Sequence, residues 1–210
     1  MLEDTLRTGL VVDGEIVDLT DPGSGLPGDM AALLALGEEA LAGVLRAQTT
    51  GARRVPLGTA DLTAPVTRPP PFLGIARNHD AHLRELGHER PEFQTWFSVQ
   101  PTCGIDPCRA VVVPRVSSTV DYEGELSMVI GRRCRHVPAG RALEVVAGYK
   151  VVNDVSVQER QWWTPTMMMG KGFGTHGPSG PWIVTTEDVG ELSSPVADEP
   201  AAGDPGDTAR

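Results

Sequence analysis

Glu123 and Glu125, followed some thirty residues later by Asp154 at the end of an apolar run, form a spaced acidic trio. In Thr119-Val-Asp-Tyr-Glu-Gly-Glu-Leu-Ser-Met-Val-Ile130 the β-branched, apolar and aromatic content predicts a strand, on which residues i and i+2 share a face. Glu123 and Glu125 then point the same way, roughly 7 Å apart at the rise of a strand. Like charges so placed repel unless a cation, a basic partner or water lies between them. The plainer reading is a solvated strand face. In Val145-Val-Ala-Gly-Tyr-Lys-Val-Val-Asn-Asp-Val-Ser156, Asp154 either closes a strand through an Asx turn or delivers a third carboxylate from a neighbouring strand end. The second alternative makes an all-oxygen set suited to magnesium, manganese or calcium. Zinc is disfavoured, because no histidine or thiolate stands beside these acids at a ligand spacing.

Two other places carry groups that could react. On a helix His82 and Glu85 are neighbours at i and i+3, so the carboxylate can orient the imidazole or share a water with it. Taken alone the pair reads as a surface contact, worth about 0 to 1 kcal/mol. Lys171 follows Met167, Met168 and Met169 and precedes a glycine-rich stretch, so in isolation it reads as a charge in an exposed loop. The three methionines read as adaptable packing. His79, His88, His136 and His176 read as loop or surface histidines.

The elements that must position these groups are short. Gly9 to Leu19 reads as two strands about Asp13-Gly14, a hairpin signal. Asp29 can cap an alanine- and leucine-rich helical stretch from Met30 to about Ala47. Prolines between Pro65 and Pro71 mark a boundary. Beyond it, strands are expected at Val111 to Val113, Glu125 to Ile130, Val145 to Val152 and Trp182 to Val184, separated by glycine- and proline-rich turns. The expected class is α+β dominated by sheet. A small N-terminal domain spans 1–68, a core domain 69–192, and a tail of disordered composition 193–210.

Composition removes several function classes. Acidic residues outnumber basic ones 28 to 18, a net charge of -10, which disfavours nucleic acid and anionic membrane as main partners. No apolar run approaches a membrane span, and Met1-Leu-Glu-Asp lacks the basic start of a secretory signal. A cytoplasmic location is expected. Cys103, Cys108 and Cys134 lack metal-site spacing and suit isolated thiols in a reducing compartment.

Several ordered blocks between Phe72 and Thr186 carry a resemblance. They are Arg77-Asn78 leading to His82 and Glu85-Leu-Gly87, Asp121-Tyr-Glu-Gly-Glu-Leu126 with Val129-Ile-Gly131, Ala147-Gly-Tyr149 with Asn153-Asp-Val-Ser156, and Lys171-Gly-Phe173 with Gly180-Pro-Trp182. In order and spacing the chain resembles the fumarylacetoacetate hydrolase family. The resemblance implies a mostly-β mixed-sheet, sandwich-roll catalytic core. It also implies a divalent cation, magnesium first and manganese or calcium as alternatives, held by Glu123, Glu125 and Asp154. In that reading His82 is the general base, Glu85 orients it, and Lys171 faces the metal acids or the substrate carboxylate.

The implied reaction is hydrolysis of a carbon–carbon bond in a 2-oxo acid or β-diketone, such as an acylpyruvate or a fumarylacetoacetate-like compound. Related members decarboxylate or isomerise. His79 stands where the family usually has an aromatic residue, Val99-Gln100 replaces a lysine after a Phe-Ser pair, and Gln158-Glu159 replaces an arginine–aspartate pair. The family's further strands, with a Gly-Thr-Pro segment, have no counterpart after Val189, so the core is expected to be incomplete. A rival expectation is therefore a truncated noncatalytic homologue that binds a metal or a partner. A third is a soluble domain whose acids only decorate the sheet. The expected partner is a small-molecule substrate, with a homodimer left open.

Overall fold

Asp13 and Gly14 take backbone φ values of 51° and 78°, the left-handed pair that a tight two-residue hairpin requires. They join β1 (Gly9–Val12) to β2 (Glu15–Asp18), with Val12 opposite Glu15. The computed structural model describes residues 6–20, 26–37, 43–44, 52–67, 69 and 72–189. A third strand, β3 (Arg54–Pro56), pairs antiparallel with β2 and completes a three-stranded sheet. The Asp29 carboxylate accepts from the Ala32 amide at 2.8 Å and starts α1 (Met30–Ala35), where the capping argument puts it. Leu33 of this helix packs with Leu19 in a small apolar cluster. Much of the rest of the expected helical stretch, and the whole expected tail 193–210, lies outside the described residues.

The second half is built from hairpins and one larger sheet. β4 (Leu73–Ala76) pairs with β5 (Thr95–Ser98), and the connection between them carries α2 (Asp80–Leu86). That helix ends at Gly87, whose φ of 67° is left-handed, as glycine C-caps are. β6 (Gly104–Ile105), β7 (Val120–Asp121), β8 (Gly124–Ile130), β9 (Val146–Asn153), β10 (Ser156–Val157) and β11 (Gly177–Thr185) follow in chain order. The four-stranded sheet runs β6-β11-β9-β8, parallel only between β11 and β6, and β10 pairs separately with β7. Short helices α3 (Gln158–Gln161), α4 (Met168–Lys171) and α5 (Thr186–Val189) complete the α+β architecture.

Register decides which side chains meet. Glu125 pairs with Val152 on β9, and Val152 pairs with Ser179 on β11. Alternation along β9 adds Lys150 and, just past its end, Asp154 to that face. Val152 and Lys150 are buried there, beside the β4–β5 hairpin, whose Phe97 packs with Val99, Cys103, Met167 and Phe72. The opposite face presents Leu126, Met128 and Val151, each more than half exposed.

Three expectations need correction. The strand expected from Thr119 to Ile130 is broken at Tyr122-Glu123, because β7 turns to pair with β10 while β8 pairs with β9. Val111 to Val113 forms no strand. Its backbone is tied to a loop instead, with the Val112 amide donating to Thr175 Oγ1 at 2.8 Å. Conversely, Gly177-Pro-Ser-Gly-Pro181, turn-like in composition, is the first half of β11. Its Gly177 closes on the Cys103 carbonyl, where an added Cβ would lie at 3.3 Å, and so lets β6 approach. Cys103, Cys108 and Cys134 are free thiols. No helix among the described residues is long and apolar enough to cross a membrane.

Candidate active site

The break before β8 places Glu123 where two strands separate. Its amide donates to Asn153 Oδ1 at 3.0 Å, and its carbonyl accepts from the Asp154 amide at 2.9 Å. The Asn153–Asp154 turn is thereby clamped to the start of β8. Both carboxylates then converge on one ammonium. Lys171 Nζ lies 2.7 Å from Glu123 Oε2, 2.6 Å from Asp154 Oδ2 and 2.7 Å from Ser156 Oγ. An ammonium has three donors, and here all three are used. Lys171 is 4% exposed, and its Nζ stands 5.1 Å from the centroid of Phe97. Taken in isolation this lysine reads as a charge in an exposed glycine loop, whereas the structure buries it at the end of α4.

Gly170 makes that burial possible. A Cβ on Gly170 would come within 2.7 Å of the backbone nitrogen and Cα of Gln161, so only glycine lets α4 approach α3. On α3, Gln158 Nε2 donates to Glu123 Oε1 at 3.2 Å, and Gln161 Nε2 donates to Gln158 Oε1 at 2.7 Å. Glu123 is therefore held from both oxygens. The position where the family was expected to have an arginine supplies a neutral donor to the acid.

Glu125 is the outer member of the trio. Burial raises its pKa, the nearby His79 opposes that rise, and the charges of Glu123 and Asp154 add to it. Asp154 is also raised, first by burial, with the Lys171 charge and hydrogen bond pulling it back and Glu123 pushing it up. Three carboxylates thus share one electrostatic neighbourhood with a single lysine, an excess of negative charge that favours a further cation or a retained proton. The donors are all oxygen, which fits a hard divalent ion in kind. As they stand, however, no three His, Cys, Asp or Glu side chains among the described residues are grouped tightly enough to coordinate an ion. The ammonium lies between two of the acids.

The histidines are arranged differently from expectation. His82 and Glu85 share one turn of α2, with Nδ1 3.9 Å from Oε2, and both are largely exposed. The imidazole beside Glu125 is His79, whose Nε2 is 4.0 Å from Glu125 Oε2. His79 occupies the N-cap of α2 without using its side chain as a cap, which leaves the ring free to turn toward β8. His176, read from sequence as a loop histidine, is 1% exposed. Its Nδ1 is 3.1 Å from the Val155 carbonyl, its ring is tilted against Phe173, and Nε2 has no partner. In the sequence Ser156 stands only as the end of the Asn153-Asp-Val-Ser156 block and Gln158 only as a departure from the family pattern, neither with a role, and Gln161 carries no signal beyond its closeness to them.

Comparison with known proteins bears on the family and the fold. A family model described as the fumarylacetoacetate hydrolase C-terminal domain matches residues 72–198. A protein of Burkholderia ambifaria named as a hydrolase is 39% identical over 191 residues, covering 86% of this chain and 62% of the relative. The mitochondrial oxaloacetate tautomerase Fahd2a of Rattus norvegicus is 31% identical over 186 residues, covering 86% of this chain and 58% of that protein. Among solved structures, maleylpyruvate hydrolase from Sphingobium sp. SYK-6, in complex with manganese(II) and pyruvate, superposes with a TM-score of 0.70 at 30% identity. That match covers 88% of this chain and 66% of the other. The chain spans less than two thirds of the length of the curated relatives just named. A family model covering more than half of the chain, on the segment that carries Glu123, Glu125, Asp154 and Lys171, settles the relationship: the chain belongs to the fumarylacetoacetate hydrolase family.

Proposed function

We propose that this chain carries the metal-holding half of an active site that cleaves a carbon–carbon bond in a 2-oxo acid or β-diketone, with an acylpyruvate as the substrate type. The observation that carries this reading is the convergence of Glu123 and Asp154 on the buried Lys171 ammonium, with Glu125 in the same field. Glu123, Glu125 and Asp154 would hold a divalent cation, magnesium or manganese. When bound, such an ion supplies Lewis acidity to substrate oxygens.

The chain's own groups set the rest. Lys171 fixes the rotamers of two acids and keeps positive charge where a substrate carboxylate or developing oxyanion would sit. Gln158 locks the second oxygen of Glu123. His82 would accept a proton from water at a ring nitrogen, with Glu85 orienting the ring. That role needs α2 to bring His82 toward the acids, because in this structure His79 is the ring beside Glu125.

The tautomerase among the relatives supports a second reading, in which the same acids serve keto–enol conversion of a 2-oxo acid without bond cleavage. An acylpyruvate and oxaloacetate panel with added manganese separates the two. Release of pyruvate and a second carboxylic acid marks cleavage, and conversion without fragments marks tautomerisation. No conversion of any member would leave the noncatalytic, metal-binding alternative. For the homodimer that the sequence leaves open, the candidate surface is the apolar face of Leu126, Met128 and Val151. Sedimentation that stays monomeric at high concentration would remove it.

A further inference from the structure

The loop after β8 concentrates positive charge in an otherwise acidic chain. Arg132, Arg133, Arg135 and Arg141 fall within ten positions of a protein whose net charge is -10. Together with His136 and Glu144 they line a concavity of about 430 Å³, within the roughly 300 to 1,000 Å³ range of small-molecule sites. Glu144 is the only carboxylate in that lining. It accepts a fork of hydrogen bonds from Arg141, Nε to Oε1 at 2.9 Å and Nη2 to Oε2 at 2.7 Å, and lies 3.8 Å from Arg132. Those contacts hold its carboxyl below the usual value, the Arg141 bonds first. Glu144 therefore orients one guanidinium and neutralises about one charge. Among the described residues, Arg133 and Arg135 have no ion-pair partner.

A loop that only needed solubility would gain nothing from four guanidinium groups facing one hollow, since like charges so gathered repel. The loop is also held in place. The Gly131 amide donates to the Val145 carbonyl at 2.9 Å, and the Arg141 amide to the Pro138 carbonyl at 2.9 Å. From Glu125 to Gly131 the chain runs along β8 for about 20 Å at the strand rise, so the hollow is separate from the acid cluster. Guanidinium groups bind phosphate oxygens in a planar, two-pronged geometry. An excess of about three positive charges suits a compact ligand with more than one negative charge. A long polyanion would run onto the acidic remainder of the surface.

We propose that the Arg132–Arg141 loop binds the diphosphate group of a small polyphosphorylated ligand, at a site distinct from the one that handles the 2-oxo acid. The test is calorimetric titration of the full chain, free of divalent ions at low salt, with inorganic pyrophosphate, ADP, orthophosphate and citrate. The same titrations are run on an Arg133→Gln/Arg135→Gln variant, whose substitutions are exposed and far from the acids. Pyrophosphate is expected to bind at least about tenfold tighter than orthophosphate or citrate, and the variant to lose at least about tenfold of that affinity. The variant's thermal midpoint should stay unchanged. ADP binding as tightly as pyrophosphate would identify a nucleotide as the source, and pyrophosphate binding without ADP a free polyphosphate. Pyrophosphate binding no tighter than orthophosphate or citrate, ADP binding without pyrophosphate, or undiminished binding by a folded variant would overturn the proposal.

Discussion

Lys171 Nζ sits 2.6 Å from Asp154 Oδ2, and the same ammonium reaches Glu123, 48 positions earlier in the chain. One side chain thus ties the end of β9, the start of β8 and the helix α4 into a single unit. A buried ion pair is poor evidence for net stability, but removing one partner leaves the other charges uncompensated.

Replacing Lys171 with Met should therefore destabilise the fold by about 3 to 5 kcal/mol in the absence of divalent ions. Manganese should restore part of that loss by taking the place of the missing charge. Urea unfolding with and without manganese measures both effects. An unchanged midpoint in chelator would show that the ammonium does not hold the acids together.

Gly170→Ala should cost about 1 to 3 kcal/mol, the usual range for overpacking, because its new Cβ meets the Gln161 backbone. Gly174→Ala is the control, with nothing within 4 Å of its added Cβ. Equal thermal midpoints for the two variants would contradict the close α3–α4 approach.

Lys150 gives the pH dependence with the clearest sign. It is 8% exposed, donates to Ser179 Oγ at 3.0 Å, and has its pKa lowered by burial from the ordinary 10.5. Between that lowered value and 10.5 the unfolded chain binds more protons than the folded one, so stability rises with pH in this alkaline window. Below the window the folded chain carries the cost of a buried ammonium. Lys150→Met should be more stable than wild type by about 1 kcal/mol or more at neutral pH, with the gap closing as pH climbs. Parallel pH profiles of unfolding for the two proteins would refute this.

The two histidines of the α2 segment should separate cleanly. His82→Ala is expected to lower kcat on an acylpyruvate by about a hundredfold or more, the usual weight of a general base, with manganese affinity little changed. His79→Ala should instead alter manganese affinity, because its ring lies against Glu125. Unchanged turnover in His82→Ala would remove that residue from the chemistry.

Much of this was legible in the sequence because it rests on local pattern. The Asp13-Gly14 hairpin, the Asp29 cap and the strands of Glu125 and Asp154 follow from turn chemistry and alternation. The family resemblance named the acids and Lys171. What stayed hidden depended on pairing between distant segments. Nothing local says that the chain breaks at Glu123 to serve two different sheets, or that Gly177-Pro-Ser-Gly-Pro181 extends beside β6. Side-chain burial was hidden for the same reason: His176 and Lys171 sit in glycine-rich surroundings that suggest exposure, yet tertiary packing covers both. The reach of His79 to Glu125 depends on how α2 lies against β8, which no spacing encodes.

The central claim is that Glu123, Glu125 and Asp154 together hold a divalent cation, and calorimetric titration of the full chain with manganese tests it most directly. The account predicts saturable binding of a single ion per chain, lost or weakened at least about tenfold in Glu123→Ala, Glu125→Ala and Asp154→Ala alike, each removing one oxygen donor from the set. Absence of binding, or binding that survives all three substitutions, would contradict it.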